Sequence, residues 1–376
     1  MTIYFDNNAT TPLAAEALEA MLPYYKEFYA NPSSIHSAGR KARDAINLAR
    51  EQVASLVHAH SSQIIFTSGG TEANNLAIAG SVSGMELDDI GVSPIEHPSV
   101  RDVVRSLKSR CSVTELKVSQ QGVVSEESIN KFIDGKHNFL LSVMLANNET
   151  GAVQPVANFA DKVRAVGGII HSDVVQALGK LDVNFETLGV HLMTLSGHKI
   201  YGPKGVGAVV YDKAIDLRPI LLGGGQEKKL RSGTENVAAI VGFGVAAELA
   251  KKRLNESYKH LLELREKFET QLKDIPGIVL FAEDADRLPN TTFFSLKGID
   301  GETLLMQLDM QGIEVASGSA CGSTNLQPSH VLSAMGIDEV TAMGAVRVSF
   351  GLQNTAREVD VLIDFLKQLT SIKSSH

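Results

Sequence analysis

The sequence predicts an α/β protein: a mainly parallel sheet covered on both faces by helices, followed by a smaller α+β unit. Three observations point there. The first two-thirds of the chain alternates short β-rich runs with helical stretches that are apolar on one side. The last third loses that alternation and mixes strand and helix patterns without a fixed order. Finally, 376 residues with 44% hydrophobic and 21% charged side chains exceed one compact core of usual size, so two packed units are expected.

The elements follow in order. Over 37–59, Ala42, Ile46, Ala49, Val53 and Leu56 recur at three- and four-residue steps, the stripe of a helix with one buried face. Residues 63–67 read as a buried strand closed by Ser68-Gly69-Gly70. Further strands are expected at 90–94, 112–118, 139–145, 168–173, 191–195 and 207–211, with helical patterns between most of them. From Val237 a long helical stretch runs through Lys251-Lys252-Arg253 to Lys273, and the division between the two units falls within it. The segments 278–281, 291–296, 302–310, 313–316 and 346–350 then precede a last helix. There is no internal repeat and no low-complexity tract.

Composition excludes several function classes. With 35 Lys+Arg against 43 Asp+Glu the formal charge is −8, which argues against generic nucleic-acid or membrane binding. The two cysteines, Cys111 and Cys321, are far apart and in no metal-type spacing, so neither a disulfide framework nor a zinc module is expected. The N-terminal segment reaches Asp6 before any apolar stretch, unlike a signal peptide, and the weakly polar run 237–250 falls short of a membrane span. A cytoplasmic location with reduced thiols is the expectation.

Three segments carry chemistry. Ser68-Gly69-Gly70-Thr71-Glu72 lies between a strand and a helix pattern, where free N–H groups attract an anion and glycine allows close approach. An ordinary strand–helix turn would look the same. Gly202 to Gly207 contains a weak glycine pattern, but it leads into a strand and not a helix, against a dinucleotide fingerprint. His171-Ser172-Asp173-Val174-Val175-Gln176 ends an apolar strand, the place where open α/β sheets bind ligands. Asp173 there suits a protonated ring nitrogen, or equally the cap of a following helix. Lys199, in Ser196-Gly197-His198-Lys199, follows another apolar strand, where burial would depress its pKa and let the amine form a Schiff base with an aldehyde cofactor. A phosphate cup, an acid for a ring nitrogen and a Schiff-base lysine, in that order, are the parts a pyridoxal-phosphate enzyme needs.

On these segments the chain resembles the NifS/IscS family of cysteine desulfurases, within the class-V aminotransferases of the fold-type I pyridoxal-phosphate enzymes. The resemblance extends over nearly the whole chain, through Tyr4 to Pro12, Asn31 to His36, Ser68 to Asn75, Glu96-His97, Asn147 to Gly151, His171 to Gly179, His198 to Gly205, Gly223 to Glu227 and Arg231 to Thr234. It implies a large domain with a mainly parallel seven-stranded sheet over 15–255, and a smaller α+β domain from 1–14 and 256–376. It also implies roles for single residues. Lys199 would hold pyridoxal 5′-phosphate, Asp173 would pair with the ring nitrogen and Gln176 with the ring hydroxyl. His97 would stack on the ring and move protons, although a histidine beside Pro98 also suits a plain helix start. Gly70, Thr71, Ser196 and His198 would hold the phosphate, with Thr234 reaching it from the other subunit of a homodimer. Asn148, also at the cofactor, and Arg347 would bind the substrate carboxylate.

Cys321 decides the branch. It lies in a small, polar stretch, Ala316 to His330, without apolar periodicity, where an accessible thiolate can act as nucleophile, whereas Cys111 reads as a buried residue. The seven residues from Cys321 to Pro328 resemble the long-loop group I enzymes, which hand sulfur to partner proteins. Gly322-Ser323 departs from the Thr-Ser usual there, Ala316 stands where Ser is common, and His191 where an acid is often found. The resemblance implies conversion of L-cysteine to L-alanine, with a persulfide on Cys321 passed to an iron–sulfur scaffold or a tRNA-thiolation factor. No resident metal is implied, and Cys321 is the candidate ligand for a transient iron–sulfur cluster shared with a partner. Two alternatives compete: a selenocysteine lyase or other pyridoxal-phosphate β-lyase, which would not need Cys321, and a non-catalytic scaffold, against which the intact Lys199 and Asp173 argue.

Overall fold

In the computed structural model, which describes residues 2–317 and 327–373, the alternating first part of the chain forms one seven-stranded sheet. The chain opens with β1 (Ile3–Tyr4), α1 (Ala15–Lys26) and α2 (Ser37–Leu56). Strand and helix then alternate through β2 (Ile64–Thr67), α3 (Gly70–Gly84), β3 (Asp89–Val92), α4 (Pro98–Ser106) and β4 (Ser112–Glu115). They continue as α5 (Glu126–Ile133), β5 (Phe139–Ser142), α6 (Val156–Ala165), β6 (Ile169–Asp173), α7 (Phe185–Leu188), β7 (Leu192–Ser196) and β8 (Gly207–Tyr211).

The order across the sheet is β2-β8-β7-β6-β5-β3-β4. All neighbours are parallel except the two pairs that β8 makes, with β2 and with β7. Because β2 and β7 both oppose β8, the other six strands run the same way and their carboxyl ends share one edge. Alternate residues face opposite layers, as the two-residue strand period requires. Ile64, Phe66, Phe139, Leu141, Met193 and Leu195 enter one core, while Ile65, Leu140, Leu192 and Val209 enter the other. Strands β5, β6 and β7 are buried throughout, the condition of a parallel sheet covered on both sides.

The long helix α8 (Val237–Leu272) leads to a second layer. Here β9 (Ile278–Leu280), β10 (Thr291–Leu296), α9 (Gly301–Asp309), β11 (Ile313–Glu314) and β12 (Ala316–Ser317) precede α10 (His330–Ala334), α11 (Glu339–Met343), β13 (Ala345–Ser349) and α12 (Ala356–Lys373). The antiparallel sheet has the order β12-β13-β10-β9, and β1 pairs in parallel with β11. Helix α8 gives Ala239 to Ala247 to the core of the first sheet and Leu261, Leu264, Phe268 and Leu272 to that of the second. Phe268 meets Phe294 and Phe350 edge-on at 5.9 and 5.8 Å.

Two expectations are corrected. The strand expected at 112–118 stops at Glu115, beyond which Val118 makes only a single bridge to Val124. The run 313–316 is two short strands in different sheets, because the chain leaves β1 after Glu314 and joins β13 at Ala316.

Candidate active site

Five of the six co-directional strands deliver expected residues to one cavity of about 280 Å3. Beyond β2 come Gly70 and Thr71, beyond β3 His97, beyond β5 Asn148, at the end of β6 Asp173 and then Gln176, and at the end of β7 Ser196, His198 and Lys199. Gly70 opens α3, and the unpaired N–H groups of a first helical turn suit a phosphate. Gly69 ahead of it has φ 156° and ψ 179°, a backbone state open to glycine. Behind this loop a Cβ on Gly207 would lie 2.6 Å from the backbone of Gly69, so only glycine lets β8 pass. Ser196 Oγ, buried, has no hydrogen-bond partner in the described chain and belongs to the cavity wall.

Asp173 is 5% exposed. Its Oδ1 accepts the Val175 N–H at 3.0 Å and its Oδ2 the Asn74 Nδ2–H at 2.8 Å. No helix starts there, since the next one is α7 at Phe185, so the capping alternative is excluded. Lys199 Nζ donates to the carbonyls of Asn8 and, at 2.7 Å, Ala9. Burial, and then the Arg347 guanidinium, lower the Lys199 amine to about 8. Gln176 Nε2 donates to the Asn8 carbonyl at 3.0 Å, while buried Lys180 donates to the Gln176 carbonyl at 2.9 Å.

His97 caps α4, its Nδ1 accepting the Ser99 N–H at 3.1 Å, so the helix-start reading and a place in the cavity hold together. Burial lowers its pKa, with Asp173 pulling the other way. His198 meets Thr10 Oγ1 at 3.1 Å, and burial and Lys199 push it down to about 4. Next to His97, the wholly buried Glu96 accepts the Met144 N–H through Oε1; burial, and then Asp173, raise it to about 8.

Arg347, on β13, reaches the site from the second sheet. Its Nη2 pairs with Asp6 Oδ1 at 2.6 Å and its Nη1 donates to the Asn148 carbonyl at 2.8 Å. Asn148 stands next to a turn fixed by Asn147, whose Oδ1 accepts the N–H groups of Glu149 and Thr150. Thr234 is not brought to this cavity: it lines another, with Ser68, Glu227 and Arg231. Cys321 lies within 318–326, outside the described residues. Just beyond, Ser329 Oγ donates to the Glu149 carboxylate and His330 Nε2 meets the Glu96 carbonyl at 3.0 Å. Cys111 is buried, its thiol donating to Leu87 O at 3.1 Å and raised in pKa by burial. Among the described residues no group of His, Cys, Asp and Glu has the arrangement of a metal site.

Sequence reasoning gave no role to Asn74, Ser99, Glu96, Asp6 and Lys180, although Asp6, Asn74 and Glu96 fall in segments that carry the resemblance. Asn74 had a signal: it stands four residues after Gly70, one helical turn on, and so on the same face of α3. Ser99 meets Asn74 from 25 residues away and Asp6 meets Arg347 from 341 away, whereas Glu96 adjoins His97 and Lys180 meets Gln176 four residues back.

The donor set fits pyridoxal 5′-phosphate on the chain's own terms. There is a helix start and an unpartnered buried hydroxyl for a phosphate, a carboxylate for a ring nitrogen, and an amine of lowered pKa for an aldehyde. The family model for class-V aminotransferases matches residues 3–362. A cysteine desulfurase IscS of Dictyoglomus turgidum is 41% identical over 98% of this chain and 94% of its own length. One from Methanosarcina thermophila is 40% identical over 98% of this chain and 91% of its own. Among solved structures, a NifS-like protein superposes with a TM-score of 0.92 at 37% identity, covering 99% of this chain and 100% of that one. A NifS-like protein from Rickettsia africae gives 0.90 at 34% identity, over 98% and 99% of the two chains. A pyridoxal-phosphate fold of type I, a preformed cofactor cavity and relatives of this kind place the chain in the class-V aminotransferase family, on its NifS/IscS cysteine desulfurase branch.

Proposed function

We propose that the chain is a pyridoxal-phosphate-dependent cysteine desulfurase that converts L-cysteine to L-alanine. It acts as a cytoplasmic homodimer and passes the sulfur, as a persulfide on Cys321, to an acceptor protein of iron–sulfur assembly or tRNA thiolation. The observation that carries this reading is the meeting in one cavity of Lys199, Asp173 and the phosphate cup with its unpartnered Ser196 hydroxyl. The cysteine desulfurases among its relatives support the choice of substrate.

When bound, the cofactor supplies an electron sink for negative charge at the substrate Cα. Gly70, Thr71, Ser196 and His198 would hold its phosphate, Asp173 would keep a proton on its ring nitrogen, Gln176 would bond its ring oxygen, and His97 would lie against the ring. Arg347 and Asn148 orient the substrate carboxylate. Lys199, whose lowered pKa leaves part of it as free amine near neutral pH, takes the Cα proton. Cys321 thiolate forms an S–S bond with the substrate sulfur as the Cβ–S bond breaks. The carbon skeleton keeps that electron pair, takes one proton at Cβ and regains one at Cα from Lys199, and leaves as alanine.

Residues 15–255 are assigned to the cofactor-binding domain, and 1–14 with 256–376 to the smaller one that supplies Arg347. The dimer is supported by the exposed Leu18, Leu22, Tyr25, Tyr29 and Ile35 on and after α1, and by Leu221 and Leu222 ahead of the Thr234 loop. In that assembly Thr234 serves the phosphate of the partner subunit. Among the described residues no helix is long and apolar enough to cross a membrane.

The deciding experiment is Cys321→Ser. The variant is expected to bind the cofactor with its visible absorption intact, to gain no sulfur mass and to lose most alanine production. Wild-type protein treated with cysteine and no reductant gains one sulfur on the peptide bearing Cys321, and Cys111→Ser behaves like wild type. Near wild-type turnover by Cys321→Ser would overturn the persulfide route and leave a β-lyase.

A further inference from the structure

We infer that Asn74 and Ser99 are positioning residues that hold His97 as its Nε2–H tautomer, so that the ring presents an N–H and not a lone pair to the cavity. The chain of donors has one consistent direction. Asn74 Nδ2 lies 2.8 Å from Asp173 Oδ2 and 2.9 Å from Ser99 Oγ. The opposite amide orientation would set the Asn74 oxygen against the Asp173 carboxylate, two acceptors facing each other. Both Asn74 N–H groups are therefore committed, one to Asp173 and one to Ser99. Ser99 Oγ accepts from Asn74, and its single proton turns to the remaining neighbour, His97 Nδ1 at 2.7 Å. The backbone N–H of Ser99 reaches the same nitrogen at 3.1 Å.

A ring nitrogen that accepts from two donors carries no proton, and a neutral imidazole has one N–H, which is then on Nε2. A second proton on Nδ1 would face the Ser99 N–H at the positive end of α4, where cations are disfavoured. Burial and the Lys199 amine act in the same sense on His97, against the pull of Asp173. The consequence rests on the cofactor reading of the cavity: His97 serves as a hydrogen-bond donor there, and removal of the Cα proton falls to Lys199. Asn74 and Ser99 belong to different helices, α3 and α4, and the link makes the acid at the end of β6 and the histidine beyond β3 one unit.

Nitrogen chemical shifts of isotope-labelled histidine test this at neutral pH, in the cofactor-free and the loaded protein, with the His97 signal identified by its loss in His97→Gln. The expected wild-type pattern is a protonated Nε2 and an accepting Nδ1. Ser99→Ala should shift it toward mixed tautomers and Ser99→Thr should restore it. In the loaded protein Ser99→Ala should lower kcat about tenfold, the size of one lost hydrogen bond, with KM and visible absorption retained. The same change should add nothing in a His97→Gln background, since Ser99 acts through His97. A proton on Nδ1 in wild type, alone or together with Nε2, overturns the inference, as does an unchanged His97 spectrum in Ser99→Ala. If wild-type protein takes up no pyridoxal phosphate, the proposed function fails, while the spectrum of the cofactor-free chain still decides the tautomer.

Discussion

On its sheet side the cavity is made of strand ends whose side chains are tied within one packed layer: Asp173 to Asn74, Asn74 to Ser99, Ser99 to His97. On the opposite side Arg347 stands on β13 of the second sheet and is held by two groups from other parts of the chain, Asp6 and the Asn148 carbonyl. The first side is set by the packing of a parallel sheet and its helices. The second depends on how two layers and the N-terminal segment meet. Changes on the sheet side should therefore act on cofactor chemistry and leave substrate affinity alone, and changes around Arg347 should do the reverse.

The largest break is Lys199→Ala. It should lower turnover by roughly 10²–10⁴-fold and remove the visible absorption of the loaded protein. Borohydride reduction of wild type should fix the cofactor on the Lys199 peptide; labelling of Lys204 or Lys213 would move the site elsewhere. Next comes Arg347→Lys, which gives up the planar fork. KM for cysteine should rise about 10- to 100-fold with kcat little changed, and steady-state kinetics that show a fall in kcat alone would erase the distinction between the two sides.

Ser196→Ala sharpens the sheet side. Its hydroxyl bonds nothing in the described chain, so urea unfolding of the cofactor-free protein should show no loss of stability, while retention of the cofactor on dialysis falls by about tenfold. The last effect is a slope. Burial holds Lys180 at about 7 and Lys199 at about 8, both below the ordinary 10.5. Between those values and 10.5 the unfolded chain binds more protons than the folded one, so these two groups make stability rise with pH across that window. Lys180→Met should remove its share, and unfolding midpoints at pH ~6 and ~10 should differ less in the variant than in wild type.

The parts legible in sequence are those whose meaning is local. An apolar run ending in polar residues marks both a strand and its carboxyl end, so Asp173 and Lys199 could be placed together before any coordinates. Helix α2 was readable from its stripe and begins at Ser37 as expected, though it stops at Leu56, short of 59. What escaped depends on separation along the chain. Ser99 and Asp6 show no role until they stand beside Asn74 and Arg347, 25 residues and 341 residues away. β1 and β11 are two residues each, too short for any periodic signal, and the pair exists because the N-terminus lies along the second layer. Lys180 has no signal of its own in the sequence: it is buried and donates to the Gln176 carbonyl.

Helix α8 is 36 residues long, roughly 54 Å at the usual rise per residue. Its early turns are core to one layer and its late turns core to the other. Melting either end strips the other of a neighbour, since a long helix without its packing is marginal in water. Protease nicking in the middle of α8 should therefore be slow in native protein and, once it occurs, should release both layers together, as a beam fails along its whole span when cut at one point.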